Sequence, residues 1–372
     1  MTTSRFYTQL QQQISRWLNY GKKSGFTELE LEKIILGSSL GKRSENQDRV
    51  LFFRVRFEES RKPAFAGIVL CDGMGGMASG GDCATLAIST FATSLARSNA
   101  SSALTDKLRV AVKYTNEVVY KAYQGKGGAT LSAVVCDEKD KWAAINVGDS
   151  RIYQVFDTGI VEQLTIDDTL ENQLVNLNLP SPPPEFRQLL QYIGMGEGVE
   201  PRVIDLQPSS EVNWIVITSD GAHSLPKEIF QAVIVHAETS KNAVDRLIAI
   251  SEWLGGKDNS TVAVLPLGKK LLIREQDSSS GYFEIWGIPG KAEFLSIIQD
   301  ETRGIRNLTT LDKETTKDEG VAKKERNLSP KRQAKQKKQK DFEETALNDA
   351  NGNKGNGEKI APQLNIEFSQ ED

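Results

Sequence analysis

Histidine is nearly absent from this chain: His223 and His236 are the only two among 372 residues. That scarcity argues against zinc, which takes its ligands largely from His and Cys. Cysteine is almost as rare. Cys71, Cys83 and Cys136 are odd in number and embedded in apolar or helical runs, which excludes a disulfide frame and suits buried thiols. No apolar run is long enough to span a bilayer and no signal peptide is recognisable, so the expected location is the cytoplasm. Neither sign of charge dominates. A net charge of −4 carries no global signal for nucleic acid or for a membrane surface.

What the chain does have is a set of aspartates where strands meet loops. The apolar run Ala66-Gly67-Ile68-Val69-Leu70-Cys71 ends directly in Asp72-Gly73-Met74-Gly75-Gly76. The carboxylate sits on a rigid element, and the glycines let the backbone turn tightly beside it. Arg43-Ser44-Glu45-Asn46-Gln47-Asp48 precedes an alternating run, and Asn146-Val147-Gly148-Asp149-Ser150-Arg151 joins two apolar runs. Thr218-Ser219-Asp220-Gly221 follows Trp214-Ile215-Val216-Ile217, and Lys257-Asp258-Asn259-Ser260 precedes Thr261–Leu265. Each Asp alone could cap a turn. Five together, with so little histidine, suit a hard cation bound through oxygen, Mg²⁺ or Mn²⁺.

In these residues the chain resembles the metal-dependent serine/threonine protein phosphatases of the 2C type, the PPM family, and in particular its bacterial-type members. The ordered motifs Arg-x-x-Asn-x-Asp, Asp-Gly-x-Gly-Gly, Gly-Asp-Ser-Arg, Ser-Asp-Gly and Asp-Asn are all present, with Gly127-Gly128-Ala129-Thr130-Leu131 as the intervening turn. Leu164-Thr165-Ile166-Asp167-Asp168 is similar to the family's Leu-Thr-x-Asp-His stretch, with Asp168 in place of His. The resemblance implies an α+β fold, an αββα four-layer sandwich of two antiparallel sheets flanked by helices. It implies hydrolysis of phosphoserine and phosphothreonine by water activated at a pair of Mg²⁺ or Mn²⁺ ions. Asp72 would bridge both ions, the Gly73 carbonyl would help bind the first, and Asp220 and Asp258 would bind the second. Asp48 would support the pair, and Asp149 with Asp220 would hold a third, weaker ion. Arg43 would bind the phosphate, where a planar fork suits a tetrahedral dianion; a surface ion pair is its other reading. Substrates would be phosphorylated proteins, opposed by a Ser/Thr kinase.

The chain departs from the family at several points. Met74 stands where many members carry a His thought to protonate the leaving oxygen, Met77 replaces another common His, and Asp82 stands where Glu is usual. The general acid is therefore unidentified. His223, three residues after Asp220, is either that acid or a loop histidine, and His236 reads as a structural helix residue. A weakly active phosphoprotein-binding or scaffold module of the same fold is the rival to an enzyme. Retention of all five aspartates and Arg43 favours catalysis.

The remaining organisation follows from patterning. Residues 1–36 read as an extension. Phe6, Leu10, Ile14, Trp17 and Leu18 lie at helical spacing, for docking on the domain or for binding a partner. The resemblance covers residues 37–266 and implies that they are the phosphatase domain. Strands are predicted near 50–57, 131–135, 142–147 and 151–156. Helices are predicted around Ala84–Leu95, Leu108–Val119, from Pro226, and around Ala243–Ile250. The proline- and glycine-rich stretch from about 168 to 200 corresponds to the family's flap. Residues 267–301 are an addition, with 281–299 apolar enough for an extra strand and helix. Residues 302–372 read as a disordered charged tail, poor in aromatics. Its run Lys323–Lys340 holds nine basic residues and one acid and could dock a partner.

Overall fold

The strand at 50–57 is predicted from alternation, yet both of its faces are covered, and the reason is a sandwich of two sheets. The computed structural model describes residues 2–57, 64–74, 79–98, 101–177, 188–268, 271–272 and 281–295. All fall in one compact unit, Met1–Asp312. The strands are β1 (Gly25–Leu29), β2 (Ile34–Ser39), β3 (Arg49–Arg56), β4 (Phe65–Cys71), β5 (Leu131–Asp137), β6 (Trp142–Val147), β7 (Arg151–Phe156), β8 (Val161–Gln163), β9 (Arg202–Leu206), β10 (Val212–Thr218), β11 (Ser260–Leu265), β12 (Tyr282–Gly287) and β13 (Gly290–Leu295). The helices are α1 (Thr2–Tyr20), α2 (Gly80–Arg97), α3 (Leu104–Tyr123), α4 (Leu170–Asn176), α5 (Asp220–His223), α6 (Lys227–Val235) and α7 (Ser240–Trp253).

One sheet has the order β1-β2-β11-β10-β7-β8 and the other β13-β12-β3-β4-β5-β6-β9, and every pairing is antiparallel. The two-residue period explains the layers. Leu51, Phe53 and Val55 of β3 pack among Ile88, Phe91 and Leu95 of α2. Val50 and Phe52 point the other way, to Leu36, Ile217 and Ala263 of the facing sheet. Beyond that sheet, Val244 and Leu247 of α7 and Phe230 of α6 cover Ile35, Val216 and Val262. The architecture is thus the four-layer α+β sandwich that the resemblance implies.

Residues 1–36 are not appended outside these layers. Tyr7, Leu10, Ile14 and Leu18 of α1 are buried with α2 in the same core, each burial contributing about 1.5–3 kcal/mol. The helix docks, as one of its two readings had it. The hairpin β1–β2, unforeseen in the sequence, completes the six-stranded sheet. Residues 282–295 likewise form two strands, and β12 pairs with β3 over Tyr282–Gly287. The apolar pattern predicts a helix for the end of this stretch; 290–295 is strand, and 296–299 lie outside the described residues, as does the tail. The predicted antiparallel run through 142–156 also needs revision. β6 and β7 are not a hairpin but belong to different sheets, so Gly148-Asp149-Ser150 crosses from one layer to the other. Gly148 makes the crossing with φ +105°, where a side chain would be strained.

Candidate metal centre

The register brings the five aspartates to one end of the sandwich. In one sheet Arg49 pairs with Cys71, which puts Asp48 and Asp72 just beyond the same edge. In the other, Thr218 pairs with both Arg151 and Val262, so Asp149, Asp220 and Asp258 lie just beyond the matching edge. Gly73 follows Asp72 through a passage only a glycine fits: a Cβ there would stand 2.5 Å from the Gly80 backbone and 2.8 Å from the Gln47 carbonyl.

The loops that carry the carboxylates are tied to one another and to the strands. The Asp72 backbone N–H donates to Thr130 Oγ1 at 2.9 Å, and Thr130 shares a 2.7 Å hydrogen bond with Ser150. Ser219 Oγ donates to Asp48 Oδ2 at 2.8 Å. Asn259 accepts from Gln47 N at 2.8 Å and donates to the carbonyls of Leu40 and Glu45, which ties the Asp48 loop to the Asp258 loop. Arg43 reaches across this tie, with Nη2 donating to Asp258 Oδ2 at 2.6 Å and Nε to the Lys257 carbonyl at 3.1 Å. The surface ion pair allowed for Arg43 is therefore present, and it is made with a second site aspartate.

Crowding of like charge shows in the acidities. Burial, then the charges of Asp48, Asp220, Asp149 and Asp258, holds Asp72 well above the usual carboxylate range. Burial pushes Asp48 up to about 6, with Asp220 adding to the effect and hydrogen bonds from Thr261 and Ser219 opposing it. Burial and then Asp220 push Asp149 up to about 7. Burial and then Asp258 raise Asp220. Buried anions facing one another need a cation or shared protons.

Asp48 Oδ1 and Asp220 Oδ1 are buried with no hydrogen-bond partner. An orphaned buried carboxylate oxygen costs about 1–3 kcal/mol or more. An all-oxygen donor set with two such orphans fits a hard divalent ion. Among the described residues no three His, Cys, Asp or Glu side chains already close around one ion position; both oxygens of Asp258 are engaged, by Arg43 and by the Asn259 N–H.

His223 is buried beside the cluster in α5, yet it is turned elsewhere. Its Nδ1 shares a 2.8 Å hydrogen bond with Thr218 Oγ1, and its ring lines a cavity of about 480 Å³ with Arg151 and Tyr153. Burial, then the Arg151 charge, holds it well below its ordinary value, which favours the neutral ring over an acidic imidazolium. His236 is not inside a helix but just past the end of α6, exposed. Cys71, Cys83 and Cys136 are free and buried, as expected. Met77 and the prolines of the flap lie outside the described residues.

Sequence reasoning missed the supporting residues Ser219, Asn259, Thr130 and Ser150. The signal was available, since each stands within or beside a motif singled out for its neighbour. Asp168, a departure from the family's histidine, has a structural part of its own. Its Oδ2 accepts from the Gly148 N–H at 3.0 Å, and its Oδ1 accepts from Arg202 and Gln191.

A family model described as protein phosphatase 2C matches residues 38–255. Among solved structures, the serine/threonine phosphatase of Streptococcus agalactiae is 28% identical, with a TM-score of 0.53 over 63% of this chain and 98% of that one. The Mycobacterium tuberculosis serine/threonine phosphatase PstP is 26% identical, with a TM-score of 0.52 over 63% of this chain and 98% of that one. A catalytic domain of PstP in complex with two manganese ions is 26% identical, with a TM-score of 0.50 over 63% and 96%. No match is found among curated proteins.

Proposed function

The chain belongs to the protein phosphatase 2C family and is a protein-serine/threonine phosphatase; on that premise we propose that it hydrolyses phosphoserine and phosphothreonine at a binuclear Mg²⁺ or Mn²⁺ centre. The observation that carries the proposal is the pair of buried, unpartnered oxygens, Asp48 Oδ1 and Asp220 Oδ1, inside a cluster of five aspartates. Asp48, Asp72, Asp220 and Asp258 would hold the two ions with the Gly73 carbonyl, and Asp149 with Asp220 a third, weaker one. The PstP structure with two manganese ions supports this reading. Ions held by these residues would lower the pKa of a bound water and offset the charge of the attacked phosphate.

The protein's own part is placement. Thr130, Ser219 and Asn259 fix the three loops. Arg43, 43% exposed at the rim, offers its guanidinium to the phosphate once it leaves Asp258. Neutral, buried His223 does not serve as the acid, so proton delivery to the leaving oxygen falls to water. The substrates are phosphorylated proteins opposed by a Ser/Thr kinase. A cytoplasmic setting suits three free buried thiols, and among the described residues no helix is long and apolar enough to cross a membrane.

Calorimetric titration of metal-stripped protein with Mn²⁺ tests the centre. Two or more sites are expected, weakened at least tenfold by Asp220→Asn. Binding that is indifferent to Asp220 would refute the assignment.

A further inference from the structure

The end of α7 abuts the loop that carries Arg43. Its last residue, Trp253, is 83% exposed, and Leu254 is 48% exposed. The chain then folds tightly toward Asp258: the Gly255 N–H donates to Glu252 O and the Gly256 N–H to Ser251 O, each at 3.0 Å. The Gly256 carbonyl accepts from the Lys42 N–H at 2.7 Å, and a Cβ on Gly256 would lie 3.4 Å from Gly41 Cα and 3.5 Å from Glu252 Cα. The helix end and the Arg43 loop are therefore one surface. Lys42 and Lys257 are exposed on it. An indole left in water beside a leucine marks an interaction site more than a random surface residue does, because tryptophan concentrates binding energy.

We propose that Trp253 and Leu254 seat a bulky apolar side chain of the phosphoprotein substrate, while Lys42 and Lys257 attract the anionic segment that carries the phosphate. This rests on the phosphatase reading above. Five Cα-to-Cα steps separate Trp253 from Asp258, a span of about 18 Å at most. An extended substrate covers that distance in about five residues. The apolar residue thus lies within about five positions of the phosphorylated one. A second copy seated on this face by two-fold symmetry would set its own Lys42 and Lys257 against these lysines, so the surface favours an anionic phosphorylated chain.

The test compares two phosphothreonine peptides, identical except that one carries leucine and the other serine at the flanking positions. The full-length enzyme with Mn²⁺ should prefer the leucine peptide about tenfold in kcat/KM, mostly through KM. Trp253→Ser should shrink that preference to about twofold or less. Leu31→Ser, which alters another exposed apolar residue in the β1–β2 turn, should leave the preference intact. A wild-type enzyme without the preference, or a Trp253→Ser enzyme that keeps it, overturns the proposal. So does a concentration-dependent dimer that Trp253→Ser abolishes, because the patch would then be a self-contact. A wild type that turns over neither peptide contradicts the phosphatase reading itself, and the docking surface falls with it.

Discussion

Arg43 Nη2 donates to Asp258 Oδ2 at 2.6 Å, joining the residue assigned to phosphate with one assigned to metal. Removing the guanidinium frees an aspartate oxygen and would delete the proposed phosphate contact. Arg43→Ala should therefore raise KM for a phosphopeptide by about tenfold while leaving Mn²⁺ affinity unchanged or tighter. Steady-state kinetics with calorimetry separates the two effects. A collapse of Mn²⁺ binding would make Arg43 part of the scaffold.

The carboxylates also set a pH dependence. Asp48 and Asp149, at about 6 and about 7, and Asp72 and Asp220, also raised, bind protons in the folded chain that the unfolded chain has released. Groups raised in this way stabilise the fold below their unfolded values and lose that contribution as pH climbs through the folded ones. His223, held low, works in the opposite direction below about pH 6.5, but it is one group against four. In EDTA, Tm should fall between pH 5 and pH 8. Mn²⁺ should raise Tm more at pH 8 than at pH 5, because metal and protons compete for the same oxygens. A metal-free Tm that rises across this window would contradict the crowding of the five aspartates.

The C-terminal strands are held by a buried ion pair. Arg54 Nε donates to Glu284 Oε2 at 2.9 Å, and Glu32 lies 2.8 Å from the same guanidinium. Burial alone would raise Glu284, but Arg54, then Trp286 and Lys291, bring it down to about 2. Arg54→Met takes the guanidinium from Glu32 and leaves buried Glu284 to Trp286 and Lys291, and should cost about 3–5 kcal/mol in urea unfolding. A loss under 1 kcal/mol would mean that β12 is not anchored to β3 in this way.

Asp168 stands where the family keeps histidine, and it fastens the crossing at Gly148 to Gln191 and Arg202. Asp168→Ala leaves the Gly148 N–H without its acceptor and should cost about 1–3 kcal/mol. Asp168→Asn retains an oxygen and should cost less. Equal losses for the two variants in urea unfolding would contradict the assigned hydrogen bond.

Much of the fold was legible because its strands carry period-two patterning and its aspartates sit at strand ends. What was not legible has physical reasons. β3 alternates in sequence, but both of its faces are buried, and Arg54 on the inner face is neutralised by partners from distant segments. The hairpin β1–β2 is short, and its edge strand is half-exposed, so its pattern is weak. That β6 and β7 part company into two sheets depends on a backbone conformation at Gly148, which composition cannot reveal. The site aspartates were readable from their motifs. The bond between Arg43 and Asp258 was not, since residues 215 positions apart are brought together only by the pairing of β2 with β11.

The central claim is that the clustered aspartates hold a metal centre that makes the attacking water reactive. Its most direct measurement is hydrolysis of a phosphothreonine peptide by metal-stripped protein, with and without added Mn²⁺ or Mg²⁺, beside Asp72→Ala. The account expects activity only with metal and a loss of several orders of magnitude in Asp72→Ala. Turnover that persists in EDTA, or that survives Asp72→Ala, would contradict it.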